Sequence, residues 1–114
     1  MILTAHLAFG GNCEAAFRFY EKVFNGHLEL FKQEEKVVHA TLSFAGQRLM
    51  GADVPDHDGT RGFFVHLKVE SREEAERIFE ALSGEVKLPL QKTFWSDCFG
   101  VVVDSFGIAW EIDA

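Results

Sequence analysis

The sequence has few of the residues that hold small cross-linked proteins together. Only two cysteines, Cys13 and Cys98, occur among its 114 residues, and they lie far apart in sequence. This excludes a disulfide framework and a zinc-knuckle spacing. Cys13 opens the first predicted helix, where the helix dipole could lower the pKa of its thiol, but an unremarkable small residue at a helix start is the preferred interpretation.

Positive charge and long apolar runs are also scarce. Lysine and arginine total 11 against 18 aspartate and glutamate residues, so the net charge is -7. Such a balance disfavours DNA or RNA as a partner and modestly favours cationic or neutral ligands. No run reaches the roughly 18 apolar residues of a membrane span, and the start MILTAHLAFGG lacks the basic residues of a signal peptide. We therefore expect a cytoplasmic protein with neither a nucleic-acid nor a membrane partner.

Tyrosine and proline are rare, whereas phenylalanine is abundant. The chain has one tyrosine and two prolines but 12 phenylalanines. So many rings exceed the need of one small core, which favours an aromatic-lined pocket or a buried subunit interface. The length fits a single domain.

Two segments of the chain resemble each other. HLAFGGNCEAAFRFYEKVFNG (6–26) and HLKVESREEAERIFEALSG (66–84) each run from His-Leu through a strand and a turn into a helix that a glycine closes. Three further strands are predicted after each helix, at 27–32, 37–44 and 48–52 and again at 85–90, 99–103 and 108–113. The sequence therefore predicts an α+β fold of two tandem βαβββ modules, 1–53 and 62–114, joined by the connector 54–61.

Caps and apolar spacing define the two predicted helices. Asn12 is placed to cap the first helix, and Ser71 with Glu74 forms a capping box at the second. The predicted buried stripe of the first helix comprises Ala16, Phe19, Tyr20, Val23 and Phe24.

The repeat also identifies candidate functional residues. Alternation along the strand predicted at 63–69 places Phe64, His66 and Lys68 on the face opposite the helix. The repeat makes His6 the equivalent of His66. Matching Gly46 with Gly107 likewise makes Met50 the counterpart of Glu111, which gives a pseudo-twofold set of four side chains.

Two imidazoles and a carboxylate in one cavity are typical of a divalent-metal site with open positions. His6, His66 and Glu111 are the predicted ligands, while the thioether of Met50 suits a divalent ion poorly. The competing interpretation is that both histidines are pocket or core residues and that Glu111 accepts a hydrogen bond. His39 lies on a separate polar stripe with Thr41 and Ser43, which predicts contact with ligand or water.

Four motifs together resemble the vicinal oxygen chelate superfamily, which includes glyoxalase I and bleomycin-resistance proteins, and within it the PhnB-like branch. They are FGGNCEAAFRFYEKVFNG (9–26), HATLSFAGQRLMGAD (39–53), PLQKTFWSDCFG (89–100) and DSFGIAWEI (104–112). The resemblance covers essentially the whole chain. It implies that the paired modules form a cupped half-barrel, commonly with one divalent metal, and that the protein is a homodimer.

The resemblance also implies roles for particular residues. The superfamily's last carboxylate ligand falls on Glu111, and the second-module histidine falls on Phe64 or, one pleat further, on His66. The first-strand histidine falls on Ala5 or His6, and the middle carboxylate on Met50 or Gly51. Metal-dependent lyases, isomerases and oxygenases share this scaffold, so the fold alone does not select a reaction.

Two functions follow as hypotheses. One is a protein that binds a small, aromatic or oxygen-rich molecule, with His66 and Glu111 as catalytic residues. The alternative is a non-catalytic protein that sequesters a toxic or antibiotic-like molecule. Either ligand would be bound by the residues predicted to line the pocket: His39, Met50, Phe64, Phe94, Trp95 and Trp110.

Overall fold

A computed structural model describes all residues, 1–114, and contains both predicted βαβββ modules. The elements of the first module are β1 (His6–Phe9), α1 (Cys13–Phe24), β2 (His27–Gln33), β3 (Lys36–Phe44) and β4 (Gln47–Asp53). Those of the second are β5 (Val65–Lys68), α2 (Arg72–Leu82), β6 (Glu85–Gln91), β7 (Phe99–Val103) and β8 (Ala109–Asp113).

The chain divides into two compact units, Met1–Gly59 and Thr60–Ala114. The division falls inside the predicted connector 54–61. The sheet of the first unit has the strand order β1-β4-β3-β2, and the sheet of the second has the matching order β5-β8-β7-β6. Strand β1 runs parallel to β4, and β5 runs parallel to β8. All other neighbouring strands are antiparallel. The predicted α+β class is confirmed.

Helix α1 buries one stripe against β2, β3 and β4. The stripe includes Phe17, which the sequence analysis omitted, whereas Phe19 and Phe24 are only half-buried. The Phe17 ring lies over Gly51, where an added Cβ would come within 2.5 Å of a ring carbon. A side chain at position 51 would therefore displace the helix from the sheet.

The start of α1 differs from the prediction. Asn12 precedes the helix, but its side chain makes no capping hydrogen bond. Instead Oδ1 of the buried Asp53 accepts from the backbone N–H of Gly11 at 2.9 Å and of Cys13 at 3.0 Å. Its Oδ2 accepts from Val37 N–H at 3.0 Å. A carboxylate at the end of β4 thus satisfies the N–H of Cys13, one of the unpaired donors at the start of α1.

Helix α2 starts as predicted. Ser71 Oγ accepts from the backbone N–H of Glu74 at 3.1 Å, and Ala75, Ile78 and Leu82 form the buried stripe. The helix ends at Leu82, and Ser83, the capping residue that follows, has a left-handed φ of 49°.

The first strands of the two modules, predicted at 2–9 and 63–69, are shorter in the structure. Strand β1 begins at His6, the first residue paired with β4, and the preceding Ile2 and Leu3 are largely exposed. Strand β5 likewise begins at Val65, opposite Trp110. Apolar residues extend each predicted strand beyond the point where a neighbouring strand offers hydrogen bonds.

The tight turn at 104–107, between β7 and β8, is built around a second buried carboxylate. Asp104 Oδ1 accepts from the backbone N–H groups of Phe106 at 2.8 Å and Ile108 at 3.0 Å. Its Oδ2 accepts from the indole N–H of Trp110 at 2.9 Å. Gly107 completes the turn with a φ of +89°, a conformation that favours glycine.

Candidate functional site

Strand register brings four polar side chains together on the second sheet. His66 lies beside Glu111 and Lys68 beside Asp113 in the parallel pair of β5 and β8. The intervening Ile112 is fully buried. Because successive residues of a strand point to opposite faces, the four polar side chains occupy the face opposite α2. We call this surface, defined by His66, Lys68, Glu111 and Asp113, the polar face.

The polar side chains of this face form a connected network. His66 Nδ1 lies 2.9 Å from Glu111 Oε1, and His66 Nε2 lies 3.4 Å from Asp113 Oδ2. Since a carboxylate only accepts, Nδ1 carries the hydrogen of the first contact. In a neutral imidazole Nε2 then presents a lone pair. The side chain of His66 is 46% exposed, so the imidazole ring is accessible to a ligand, with Nε2 on the side of Asp113.

Asp113 anchors the neighbouring loop. Its Oδ1 accepts from Ser96 Oγ at 2.5 Å and lies 3.6 Å from Lys68 Nζ. The Ser96 hydroxyl, followed by Lys68 and His66, holds the pKa of the Asp113 carboxyl below its usual range. Ser96 Oγ also accepts from the backbone N–H of Cys98 at 3.2 Å. The loop at 92–97 is therefore fixed to the edge of the polar face.

Aromatic rings extend from this loop toward His66. Trp95 packs edge-on against Phe94, with centroids 4.7 Å apart, and against Phe99, at 5.4 Å. Phe99 lies 6.5 Å from the His66 ring. Phe94 is 96% exposed and Trp95 is 56% exposed, and both line a polar pocket of about 380 Å³. Two of the predicted aromatic wall residues are thus accessible.

An open cleft lies at the other end of the polar face. Its volume is about 430 Å³, and Arg61, Phe64, Val103 and Ala109 are among its lining residues. Val103 and Ala109 are paired across β7 and β8. Phe64 comes two residues before His66 and is 54% exposed. The cleft therefore continues the surface that carries the imidazole.

The first sheet has equivalent positions with different chemistry. His6 lies opposite Met50, as His66 lies opposite Glu111, so the register confirms the equivalence that the repeat predicted. The His39 ring lies 6.5 Å from the His6 ring and 6.3 Å from the Phe31 ring. His39 Nε2 lies 2.8 Å from the Thr41 hydroxyl. This sheet has no carboxylate at the Met50 position.

Comparison with known proteins agrees with this architecture. The sequence model of the Glyoxalase/Bleomycin resistance protein/Dioxygenase superfamily matches residues 4–112. The chain belongs to this superfamily. A relative, protein YjdN of Escherichia coli (strain K12), is 29% identical over 99% of this chain and 95% of its own length.

Solved structures place the superfamily fold on the whole chain. Protein PA1353 from Pseudomonas aeruginosa has a TM-score of 0.91 and 35% identity, covering 99% of this chain and 96% of its own. The PhnB protein from Bacillus cereus has a TM-score of 0.84 and 27% identity, covering 99% and 98%. The chain is thus similar to a PhnB protein, as its motifs predict. None of its helices has the length and apolarity needed to cross a membrane. The homodimer and the cytoplasmic location stay predictions.

The metal ligands that the superfamily implies are not assembled within either unit. His66 and Glu111 lie together but bond to each other, and His6 belongs to the first unit beside Met50. No group of three or more histidine, cysteine, aspartate or glutamate side chains is placed to hold a metal ion. The donor set of each unit therefore does not fit a divalent metal, and the metal stays a prediction.

Two residues considered in the sequence have other roles. Trp110 is 1% exposed and donates its indole N–H to Asp104, so it belongs to the core rather than to a pocket wall. Cys13 is fully buried. Burial, followed by the charges of Asp53 and Glu14, raises the pKa of its thiol to about 12. Lowering by the helix dipole is therefore wrong for Cys13, and its burial agrees with the interpretation as an unremarkable small residue at a helix start.

Sequence reasoning missed three residues around the polar face. Asp113 follows Glu111 by two residues, so strand alternation alone would have placed it on the same face. Ser96 contacts Asp113 across 17 residues of sequence, and no local pattern indicates such a contact. Arg61 was assigned to the connector and lines the cleft.

Proposed function

We propose that the protein binds a small organic molecule on the polar face and in the adjoining cleft of the second unit. The observation that carries the proposal is the half-exposed imidazole of His66, held by Glu111, beside a cleft walled by Phe64. Small-molecule sites typically combine an apolar concavity with a few convergent polar groups. Membership of the superfamily supports the proposal, because glyoxalases and bleomycin-resistance proteins act on or bind small molecules.

Replacing Phe64 by alanine tests the cleft directly. We expect Phe64→Ala to weaken binding at least tenfold, since burying such a ring contributes about 1.5–3 kcal/mol. Isothermal titration with small aromatic compounds measures the change. A suitable control is Val86→Ala. Val86 is similarly exposed, at 50%, but it does not line the cleft and instead pairs with the buried Val102.

The outcome separates specific binding in the cleft from nonspecific hydrophobic binding. Equal losses in Phe64→Ala and Val86→Ala would show that the cleft is not the binding site. A panel in which no compound binds the wild-type protein would contradict the proposal itself.

A second candidate function is proton-transfer catalysis by His66 and Glu111. Their 2.9 Å contact favours it, because a carboxylate that orients an imidazole is the usual arrangement of a general base. His66 Nε2 would take a proton from the bound molecule, and Glu111 would stabilise the resulting imidazolium. A sequestering protein has no need of this pair and would release its ligand unchanged.

Solvent exchange distinguishes catalysis from sequestration. For a catalyst, NMR in D₂O will show deuterium entering the bound compound with wild-type protein and a loss of at least 100-fold in Glu111→Gln, with affinity retained. Unchanged compound after prolonged incubation would contradict catalysis and leave sequestration. Repeating the measurement after dialysis against a chelator, and again with manganese, nickel, cobalt or zinc, tests the predicted metal.

A further inference from the structure

We infer that the cleft of the second unit selects apolar molecules that carry one oxyanion, such as aromatic carboxylates, and that Arg61 binds this group. The inference rests on the proposed function and names its ligand class. The inferred ligand is an anion, whereas the net charge of the chain favours a cationic or neutral ligand.

The charge of the cleft is opposite to that of the chain. Of its eight lining residues, only Arg61 is charged, although acidic residues exceed basic ones by seven in the whole chain. The cleft thus has a cation and no lining carboxylate to compensate it. The residues that line the cleft are Thr60, Arg61, Gly62, Phe63, Phe64, Val103, Gly107 and Ala109.

The Arg61 guanidinium is uncommitted. It takes part in none of the ion pairs and side-chain hydrogen bonds of the structure, whereas Arg18 bonds to Glu14 and Arg72 bonds to a backbone carbonyl. A guanidinium has five donors in a planar fork that matches the two oxygens of a carboxylate. Such charge-assisted pairs are stronger than neutral hydrogen bonds.

The rest of the cleft suits an apolar body. The rings of Phe63 and Phe64 are 45% and 54% exposed, which offers aromatic surface without disturbing the core. Gly62 and Gly107 have nothing within 4 Å of the position a Cβ would occupy. Space therefore remains at these two positions, and a bulky ring can enter while its oxyanion meets Arg61.

Local charge decides specificity at this site, while net charge acts at longer range. At physiological ionic strength the Debye length is about 8 Å, so acidic residues on distant surfaces are largely screened from a ligand in the cleft. The nearest carboxylate of the polar face, Glu111, is engaged with His66. Asp104, between the lining residues Val103 and Gly107 in sequence, is buried and accepts from Phe106, Ile108 and Trp110. Arg61 is therefore the one charged side chain that an anion meets in the lining of the cleft.

Matched ligands and two arginine variants test the inference. The probes are naphthalene, indole and cyclohexane, each as the carboxylate, the neutral amide and the amine. Isothermal titration with wild-type protein is expected to show carboxylates binding at least tenfold more tightly than amides. In Arg61→Gln this preference should disappear while amide affinity is kept. Arg48→Gln, which removes an exposed arginine of the first unit, should retain the wild-type preference.

Each alternative result has a definite meaning. Equal affinity for carboxylates and amides, tightest binding of amines, or an unchanged preference in Arg61→Gln would overturn the inference and leave small-molecule binding intact. Equal loss of preference in Arg61→Gln and Arg48→Gln would also overturn it, because general charge would then be the cause. If none of the compounds binds wild-type protein, the inference and the proposed function both fail.

Discussion

Replacing Asp104 by alanine is expected to lower the free energy of unfolding by about 4 kcal/mol. Asp104 is 4% exposed and accepts from Phe106 N–H, Ile108 N–H and the Trp110 indole. Alanine would leave these donors without their acceptor, and a lost hydrogen bond to a charged group costs about 1.5–3 kcal/mol. Water entering the cavity would recover part of that loss. Urea unfolding followed by circular dichroism measures the difference.

The control for this substitution is an exposed aspartate. Asp58→Ala removes the same group from the exposed connector and should change stability by less than about 0.5 kcal/mol. A loss below about 1 kcal/mol in Asp104→Ala would show that backbone turn geometry, rather than the carboxylate, holds residues 104–108. Because Gly107 lines the cleft, the Arg61-dependent binding should weaken together with the turn.

The repeat and the period of the strands account for what could be predicted. Both modules have the predicted order of elements, and the register pairs of His6 with Met50 and of His66 with Glu111 agree with the alignment of the two copies. Such features depend on local spacing, since alternation fixes which side chains share a face. Trp110 could have been assigned correctly by the same rule. It adjoins Glu111, and neighbouring residues of one strand point to opposite faces.

The role of the buried Asp53 carboxylate could not be predicted because its partners are remote in sequence. Asp53 receives hydrogen bonds from residues 42, 40 and 16 positions away. The capping propensity of asparagine predicts that the Asn12 side chain caps α1. In the structure, the Asp53 carboxylate binds the start of the helix instead. Ser96 and Asp113 illustrate the same limit at the candidate site, where a loop residue is fixed by a strand that follows it.

The two units share a fold but differ in the chemistry of equivalent positions. A thioether lies opposite His6, and a carboxylate lies opposite His66. The carboxylate orients the imidazole, which a thioether cannot do as strongly because it is only a weak acceptor. The histidine–carboxylate pair of the proposed proton transfer therefore lies in the second unit, together with Arg61. The two copies of the repeat have the same fold, and the candidate site lies where the side chains at equivalent positions differ.

Alkaline pH is expected to destabilise the protein through Cys13. The pKa of its thiol is about 12 in the folded state against an ordinary value of 9.0, because the ionised form would be buried beside Asp53. Between these two values the unfolded chain binds fewer protons than the folded one, so stability falls as pH rises. Each pH unit costs up to 1.36 kcal/mol, which gives a loss of about 2.5 kcal/mol between pH 8 and pH 11.

Urea unfolding at pH 8 and pH 11 with matched variants isolates this contribution. Cys13→Ala lacks the thiol and should lose about 2.5 kcal/mol less than wild-type protein over this range. Val23→Ala creates a cavity in the same buried stripe of α1 and should keep the full alkaline loss. Tyrosine and lysine residues also titrate at these pH values, but they are common to all three proteins. Equal pH dependence of wild-type protein and Cys13→Ala would show that the Cys13 thiolate is solvated, and that the N-terminal end of α1 opens before the rest of the first unit unfolds.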